Sequence, residues 1–239
     1  MNWDHPLNRH LVTGMSRSGK TSLAIHLAKN WDHYAPKHPE RRKTRWIYAF
    51  DPDREFSRKC GWTVAINREE IIRLASQFRP VCFDPIPMFG EKTKAALEWF
   101  CAHVLRDSRK VNYTKLLIVD EIWKHTGKSL QPALQAIMHE GARQEIDSLI
   151  ISQQLNKTNS DLRAQTSDLW AFRQVDANTV KWLKEDGFSP DAIRTLDHPG
   201  GFILRDFSGF RTGRTTKTGI PSFDASHQKG KADRPPRFA

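Results

Sequence analysis

Eight consecutive residues carry the strongest chemical signal in this sequence: Gly14, Met15, Ser16, Arg17, Ser18, Gly19, Lys20 and Thr21. They fit G-x-x-x-x-G-K-[ST], the P-loop pattern, whose chemistry is the capture of a phosphate chain. Backbone N–H groups of the loop and of the helix that follows, Ser22 included, converge on phosphate oxygens, and the helix dipole favours their charge. Gly19 lets the backbone approach with no side chain in the way. Lys20 can reach the β- and γ-phosphates of ATP, and the Thr21 hydroxyl suits Mg²⁺. A second stretch, Leu116-Leu117-Ile118-Val119, ends in Asp120 and Glu121. Ligand sites of parallel α/β sheets lie beyond the carboxyl ends of the strands, so Asp120 should emerge at the same rim as the P-loop. There it can hold the hydration shell of Mg²⁺. Glu121 alternates to the other side of the strand and can orient and deprotonate an attacking water. A third stretch, Asp147 to Ser152, ends in Gln153 and Gln154. A strand-end glutamine either hydrogen-bonds a γ-phosphate or lytic water, or is an ordinary polar terminus.

These groups need a scaffold that brings strand ends together. Arg9–Thr13 reads as a short buried strand before the P-loop, and Ser22–Lys29 as the helix after it. Arg45–Phe50 reads as a second strand, stopped by Asp51-Pro52. Asn67 starts a helix, because Glu70 follows it at capping-box spacing and Ile71, Ile72, Leu74 and Ala75 form an apolar face. Val81–Phe83 is a short strand ended by Asp84-Pro85. Helices are expected from Glu91 to about Arg106 and from Ser129 to about Arg143. Leu169–Arg173 is another strand. Asp176 caps a helix containing Val180, Trp182 and Leu183. Ser189-Pro190 opens a short helix with Pro at its first position, and Phe202–Arg205 is the last expected strand. The expected fold class is α/β, a RecA-like P-loop NTPase with a mostly parallel central sheet flanked by helices.

The chain has 239 residues, enough for one α/β domain with appendages. Its 38% hydrophobic content is low, yet eight Trp and thirteen Phe supply a core. A formal net charge of +11 makes a polyanion, nucleic acid or an anionic membrane surface, the expected partner. Cys60, Cys82 and Cys101 have unrelated spacings, which argues against a disulfide framework or zinc site and fits a reducing compartment. The first residues have no signal-peptide hydrophobic region, and the apolar runs are too short to span a bilayer. A soluble, intracellular protein is expected. Beyond Arg211 apolar residues thin out while Arg211, Arg214, Lys217, Lys229, Lys231, Arg234 and Arg237 accumulate. This divides the chain into an ATPase domain, residues 1–210, and an extended basic tail, residues 211–239, that binds DNA or a neighbouring subunit.

Taken together, the P-loop, Leu116–Glu121 and Leu149–Gln153 resemble the Walker A, Walker B and strand-end glutamine of the FtsK–HerA superfamily. The nearest resemblance is to the genome-packaging ATPases of tailless icosahedral viruses with internal membranes. Asp51-Pro52, Val81–Pro85 and Gly141-Ala142-Arg143 are similar to that group too, and the likeness spans Arg9 to Phe207. The resemblance implies that the Gln153 strand sits between the P-loop and Asp120 strands. It also implies a hexameric ring around DNA with ATP at subunit interfaces, and an arginine reaching the neighbour's ATP. Arg143, Arg163 and Arg173 are candidates for that arginine, and Arg143 is chosen because it precedes the glutamine strand. Arg17 departs from the group, which commonly has a small residue there, and Ser152-Gln153-Gln154 leaves open which glutamine is the sensor.

What the resemblance implies in function is an ATP-driven translocase that packages a viral genome into a preformed capsid, gripping phosphate backbone without regard to base sequence. Capsid vertex proteins are implied partners, and the host cytoplasm or the packaging vertex the implied location. Three other readings compete, one of them a nucleotide-gated DNA-binding protein with negligible turnover, against which an intact Glu121 argues. A filamentous-phage assembly ATPase usually carries a membrane span. A small-molecule P-loop kinase needs no ring and has little use for a basic tail.

Overall fold

The apolar runs become strands because each can bury both of its faces. The computed structural model describes residues 8–34, 44–108, 114–127 and 129–224. Ten strands form one sheet. They are β1 (Arg9–Thr13), β2 (Thr44–Phe50), β3 (Thr63–Ala65), β4 (Val81–Phe83), β5 (Thr114–Val119), β6 (Ile146–Ser152), β7 (Asp168–Phe172), β8 (Gly201–Asp206), β9 (Gly209–Thr215) and β10 (Pro221–Phe223). Their spatial order is β10-β9-β8-β7-β1-β6-β5-β2-β4-β3. From β3 to β7 across the sheet all neighbours run parallel. β8, β9 and β10 continue it beyond β7 as antiparallel strands. β6 lies between β1 and β5, as the resemblance implies for the glutamine strand.

Strand alternation splits the apolar residues between two cores. On one face Leu11, Leu117, Val119 and Ile150 pack with the helices Thr93–Ser108, Pro132–Glu140 and Ala177–Glu185. On the other, Val12, Leu116, Ile118, Leu149 and Ile151 pack with Leu23, Ala24 and Leu27 of the Lys20–Lys29 helix, and with Trp31. Burying each large side chain fully contributes about 1.5–3 kcal/mol, so this sandwich of layers holds the strand ends in fixed register.

Local signals act as their chemistry requires. The Asn67 side chain accepts from Glu70 N at 2.9 Å, and Asp176 accepts from Thr179 N at 2.7 Å. Asp51, just past β2, accepts the backbone N–H groups of Phe56 and Ser57 at 3.1 and 2.9 Å, starting the helix Glu55–Cys60. Asp84, just past β4, receives the Arg54 guanidinium at 2.6 Å and Ile86 N at 3.0 Å. The two Asp-Pro steps therefore brace neighbouring loops at the carboxyl rim. The helix expected from Ser129 begins instead at Pro132, with Gln131 as its N-cap, and gives way after Glu140 to a 3₁₀ turn, Gly141–Gln144. β3 has no counterpart in the sequence reading, being three residues long with one side chain buried.

The largest correction concerns the carboxyl end. Residues 211–223, expected in an extended tail, finish the sheet: β9 pairs with β8 from Asp206↔Gly209 to Gly201↔Arg214, and β10 pairs with β9. The fully buried Phe202 has Trp170, Phe172 and Phe223 around it, at ring-centroid distances of 5.2, 5.9 and 5.6 Å. Two basic residues of this segment, Arg211 and Arg214, make contacts within the fold. The Arg211 guanidinium lies 4.4 Å from the Phe223 ring centroid and pairs with Asp206, while Arg214 meets Asp197 at 2.8 Å. Lys229, Lys231, Arg234 and Arg237 lie outside the described residues, as do Lys37, His38, Arg41, Arg42 and Lys43 of the basic connector. Among the described residues no helix is long and apolar enough to cross a membrane.

Gly213 tests this correction. A Cβ there would lie 2.3 Å from Ser222 O and 2.8 Å from Phe202 Cζ. Gly213→Val should therefore destabilise the protein by about 1–3 kcal/mol, as overpacking does. Denaturant unfolding checks it, since a curve superimposable on wild type would return residues 211–223 to an extended tail.

Candidate active site

The P-loop is seated by close packing before it binds anything. Gly14 has no room for a side chain, because a Cβ would lie 2.5 Å from Phe172 Cβ and 2.7 Å from Ser18 Oγ. Met15 N donates to Arg173 O at 3.1 Å, tying the loop to the end of β7. Gly19, at φ 106°, caps the Lys20–Lys29 helix in a conformation that favours glycine. Arg17 also has positive φ, 59°, which explains why a small residue is common at its position and why arginine there is a departure. Its side chain is exposed.

Lys20 is 6% exposed, and its ammonium donates to Met15 O at 2.8 Å. Burial pulls its pKa down, against the opposing pull of Glu121, Asp120 and Glu55. Asp120, at the end of β5, is 8% exposed and accepts from Glu121 N at 2.9 Å. Its carboxyl is pushed up to about 7, first by burial and then by Glu55 and Glu121. Glu121 sits at φ 45° and opens the turn Ile122–His125. Its carboxylate accepts from Gln153 N at 3.2 Å and from the Trp123 indole N–H. The Lys157 ammonium lies 5.1 Å from the centroid of that same indole.

One cavity of about 600 Å³ unites these groups. Ser16, Arg17, Ser18, Gly19, Lys20, Thr21 and Ser22 line it together with Glu55, Lys59, Glu121 and Gln153, and Pro199, Gly200, Thr215, Thr216 and Lys217 complete the wall. Gly14 and Asp120 are buried behind this lining. Of the two glutamines, Gln153 faces the cavity. Arg143 does not join the group, because its 3₁₀ turn precedes β6 while Gln153 follows it. Seven strand residues at about 3.3 Å each separate them by roughly 20 Å. The Arg163 guanidinium lies 3.5 Å from the Trp182 ring centroid, and Arg173 flanks the P-loop through its backbone carbonyl.

Sequence reasoning missed Glu55 and Lys59, whose helix gave no periodic signal, and Trp123, which looked like any aromatic after a strand. It also missed the wall from Thr215 to Lys217, assigned to the tail. Among the described residues no cluster of three or more His, Cys, Asp or Glu could hold a metal by itself. Thr21 and Asp120 nevertheless suit Mg²⁺, which keeps several waters and takes one or two protein ligands plus phosphate oxygens. The crowding of Asp120 by Glu55 and Glu121 is what a divalent cation would relieve.

Comparison with solved structures adds a fold. The genome packaging NTPase B204 of Sulfolobus turreted icosahedral virus 2, in complex with AMPPCP, matches with a TM-score of 0.66 at 18% identity, covering 84% of this chain and 93% of that one. The chain has its fold. The DNA-packaging ATPase B204 of Sulfolobus turreted icosahedral virus matches with a TM-score of 0.65 at 18% identity, over 92% of this chain and 97% of that one. VirB4 of Thermoanaerobacter pseudethanolicus matches with 0.59 at 10%, over 92% and 90%. No protein-family model matches the sequence, and no curated protein is significantly similar to it. At the level of fold, the B204 likeness agrees with the resemblance read from the three motifs.

Lys20→Ala should weaken ATP binding about ten- to a hundredfold, the equivalent of losing a charge-assisted contact of about 1.5–3 kcal/mol. Isothermal titration with a slowly hydrolysed analogue checks it, and an unchanged dissociation constant would remove Lys20 from the phosphate site.

Proposed function

We propose that this protein is an ATP-driven DNA translocase that packages a viral genome into a preformed capsid. The observation that carries the reading is the convergence of Lys20, Glu121 and Gln153 on one cavity at the carboxyl rim of a B204-like fold. The loop Gly14–Ser22 holds the phosphates of ATP. Thr21 and Asp120 would hold Mg²⁺, whose contribution is to neutralise charge on the phosphate oxygens. Glu121 orients the attacking water and accepts its proton, and its bond to Trp123 fixes the carboxylate for that task. Gln153, one residue past β6, contacts the γ-phosphate and reports its loss to the strand. The net charge of +11 supplies a phosphate-gripping surface indifferent to base sequence.

In a head-to-tail ring of six, the cavity of one subunit faces its neighbour. Arg143 is the arginine proposed to reach that neighbour's nucleotide. Its separation from Gln153 within one subunit is what a role in trans, and not in cis, requires. The fold's rim and the basic surface would then move together as each ATP is spent.

Glu121→Gln should retain ATP binding and lose turnover by about a hundredfold to ten-thousandfold, because an amide accepts no proton from water. Hydrolysis measured with and without duplex DNA tests the whole reading. DNA should stimulate the wild type, with an affinity that falls steeply as salt rises. Turnover that depends on a small acceptor and ignores DNA would point to a kinase, and a wild-type rate in Glu121→Gln would displace the base.

The ring is tested by mixing inactive subunits. Arg143→Ala should bind ATP yet hydrolyse it about a thousandfold more slowly, and Lys20→Ala should be inactive but still present Arg143. Co-assembled, the two should regain part of the activity. No regain in verified mixed rings would transfer the role to Arg163 or Arg173.

A further inference from the structure

The order of the sheet gives the nucleotide cavity a direction. β6 and β5, which end in Gln153 and Glu121, lie on one side of β1. β7, β8, β9 and β10 lie on the other. Groups that act on a γ-phosphate stand on the β6 side, so a triphosphate held by the P-loop points its γ end there and its nucleoside the opposite way. The wall on that opposite side is made of Gly200, just before β8, and Thr215, Thr216 and Lys217, at the turn from β9 to β10.

This wall is fastened to the P-loop itself. Gly200 N donates to Ser18 O at 3.1 Å, and Thr215 N donates to Gly200 O at 2.8 Å. The turn lies so close to the first turn of the P-loop helix that a Cβ on Gly219 would be 2.0 Å from Ser22 O. It is also tied internally: Ile220 N donates to the Thr216 hydroxyl at 3.1 Å, and Gly219 N to Thr216 O at 2.9 Å. Lys217 stands exposed at its tip. A turn built this tightly against a phosphate loop does not behave as part of a tail.

We infer that the β9–β10 turn is the nucleoside half of the binding site, with Thr215 and Lys217 contacting the ribose and base of the bound nucleotide. The inference rests on the reading that the cavity takes ATP. The contacting groups are a hydroxyl and an ammonium, so recognition is by hydrogen bonds to ribose hydroxyls and base acceptors, with no aromatic ring from the turn to stack on. Losing one such contact at the edge of the cavity, where Lys217 is exposed to solvent, removes about three- to tenfold in affinity, the low end of the range for such bonds.

Inorganic tripolyphosphate separates this from a phosphate contact, because it has the phosphates of ATP and no nucleoside. The full-length protein, Lys217→Ala, Thr215→Val and Lys20→Ala are titrated with an ATP analogue and with tripolyphosphate, and thermal unfolding verifies the fold of each. Lys217→Ala and Thr215→Val should bind the analogue three- to tenfold more weakly and tripolyphosphate as the wild type does. Lys20→Ala should weaken both ligands. Unchanged analogue affinity in both turn variants overturns the inference, and so does an equal loss for both ligands, which would make the turn a phosphate contact. A wild type that binds neither ligand would defeat the ATP reading itself, a result distinct from either.

Discussion

Phe172 pressing on the P-loop is the contact on which the geometry of the site depends. Its Cβ leaves no space for a side chain at Gly14, and its ring edge lies 3.3 Å from where a Gly19 Cβ would stand. Both glycines of the motif thus answer to one aromatic residue at the end of β7. The consequence is positional. With the loop held against β7, and Met15 tied to Arg173 O, the helix beginning at Lys20 must start where it does. Lys20 then faces the carboxylates at the end of β5 across β6. A looser loop would let Lys20 wander, and a displacement of about 1 Å at a reacting centre is enough to lose much of the rate.

Charge in the site is arranged for a guest. Asp120, Glu121 and Glu55 all act on the buried ammonium of Lys20, and burial first, then the nearby Glu55 and Glu121, pushes the Asp120 carboxyl up to about 7. The cavity lining sets Arg17, Lys20, Lys59 and Lys217 against Glu55 and Glu121, with Asp120 buried behind them, so a polyphosphate meets more cations than carboxylates. On the proposed reading two further cations would complete the site, a divalent ion held by Thr21 and Asp120 and an arginine from a neighbouring subunit. The burial of Asp120 would make those additions effective.

The parallel half of the fold was legible in the sequence because its strands are buried on both faces. Leu116–Val119 and Leu149–Ile151 read as strands with no knowledge of their partners, and the P-loop fixed where β1 ends. Of the antiparallel strands β8 was legible, as Phe202–Arg205, but β9 and β10 were not. β9 reads Gly-Phe-Arg-Thr-Gly-Arg-Thr, with Phe210, Thr212 and Arg214 exposed along one side, and its stability comes from pairing with β8 and from Phe202 and Phe223 meeting across it. Composition alone makes such a segment look like a tail. The site divided along the same line. Lys20, Glu121 and Gln153 belong to motifs and were found, whereas Glu55, Trp123 and Lys217 arrive by tertiary placement that no local pattern records.

The missed strands change what the basic carboxyl-terminal stretch means. Arg211 is held by Asp206 and Phe223 inside the fold, whereas Arg214 meets Asp197 in an exposed pair that holds it only weakly. Their charge still contributes to the field around the rim, because a paired arginine and aspartate cancel only at long range. The end of β9 and the turn after it line the cavity instead, through Thr215, Thr216 and Lys217. On the proposed reading, a grip on DNA would draw on cations not committed to the sheet. β6 sets the scale of that arrangement. Its length of about 20 Å separates Gln153 at one end of the subunit from Arg143 at the other. On the proposed reading, a heterologous contact that presents one subunit's amino-terminal rim to the next subunit's carboxyl-terminal rim would join the two, and such contacts make a ring where the rotation between subunits closes.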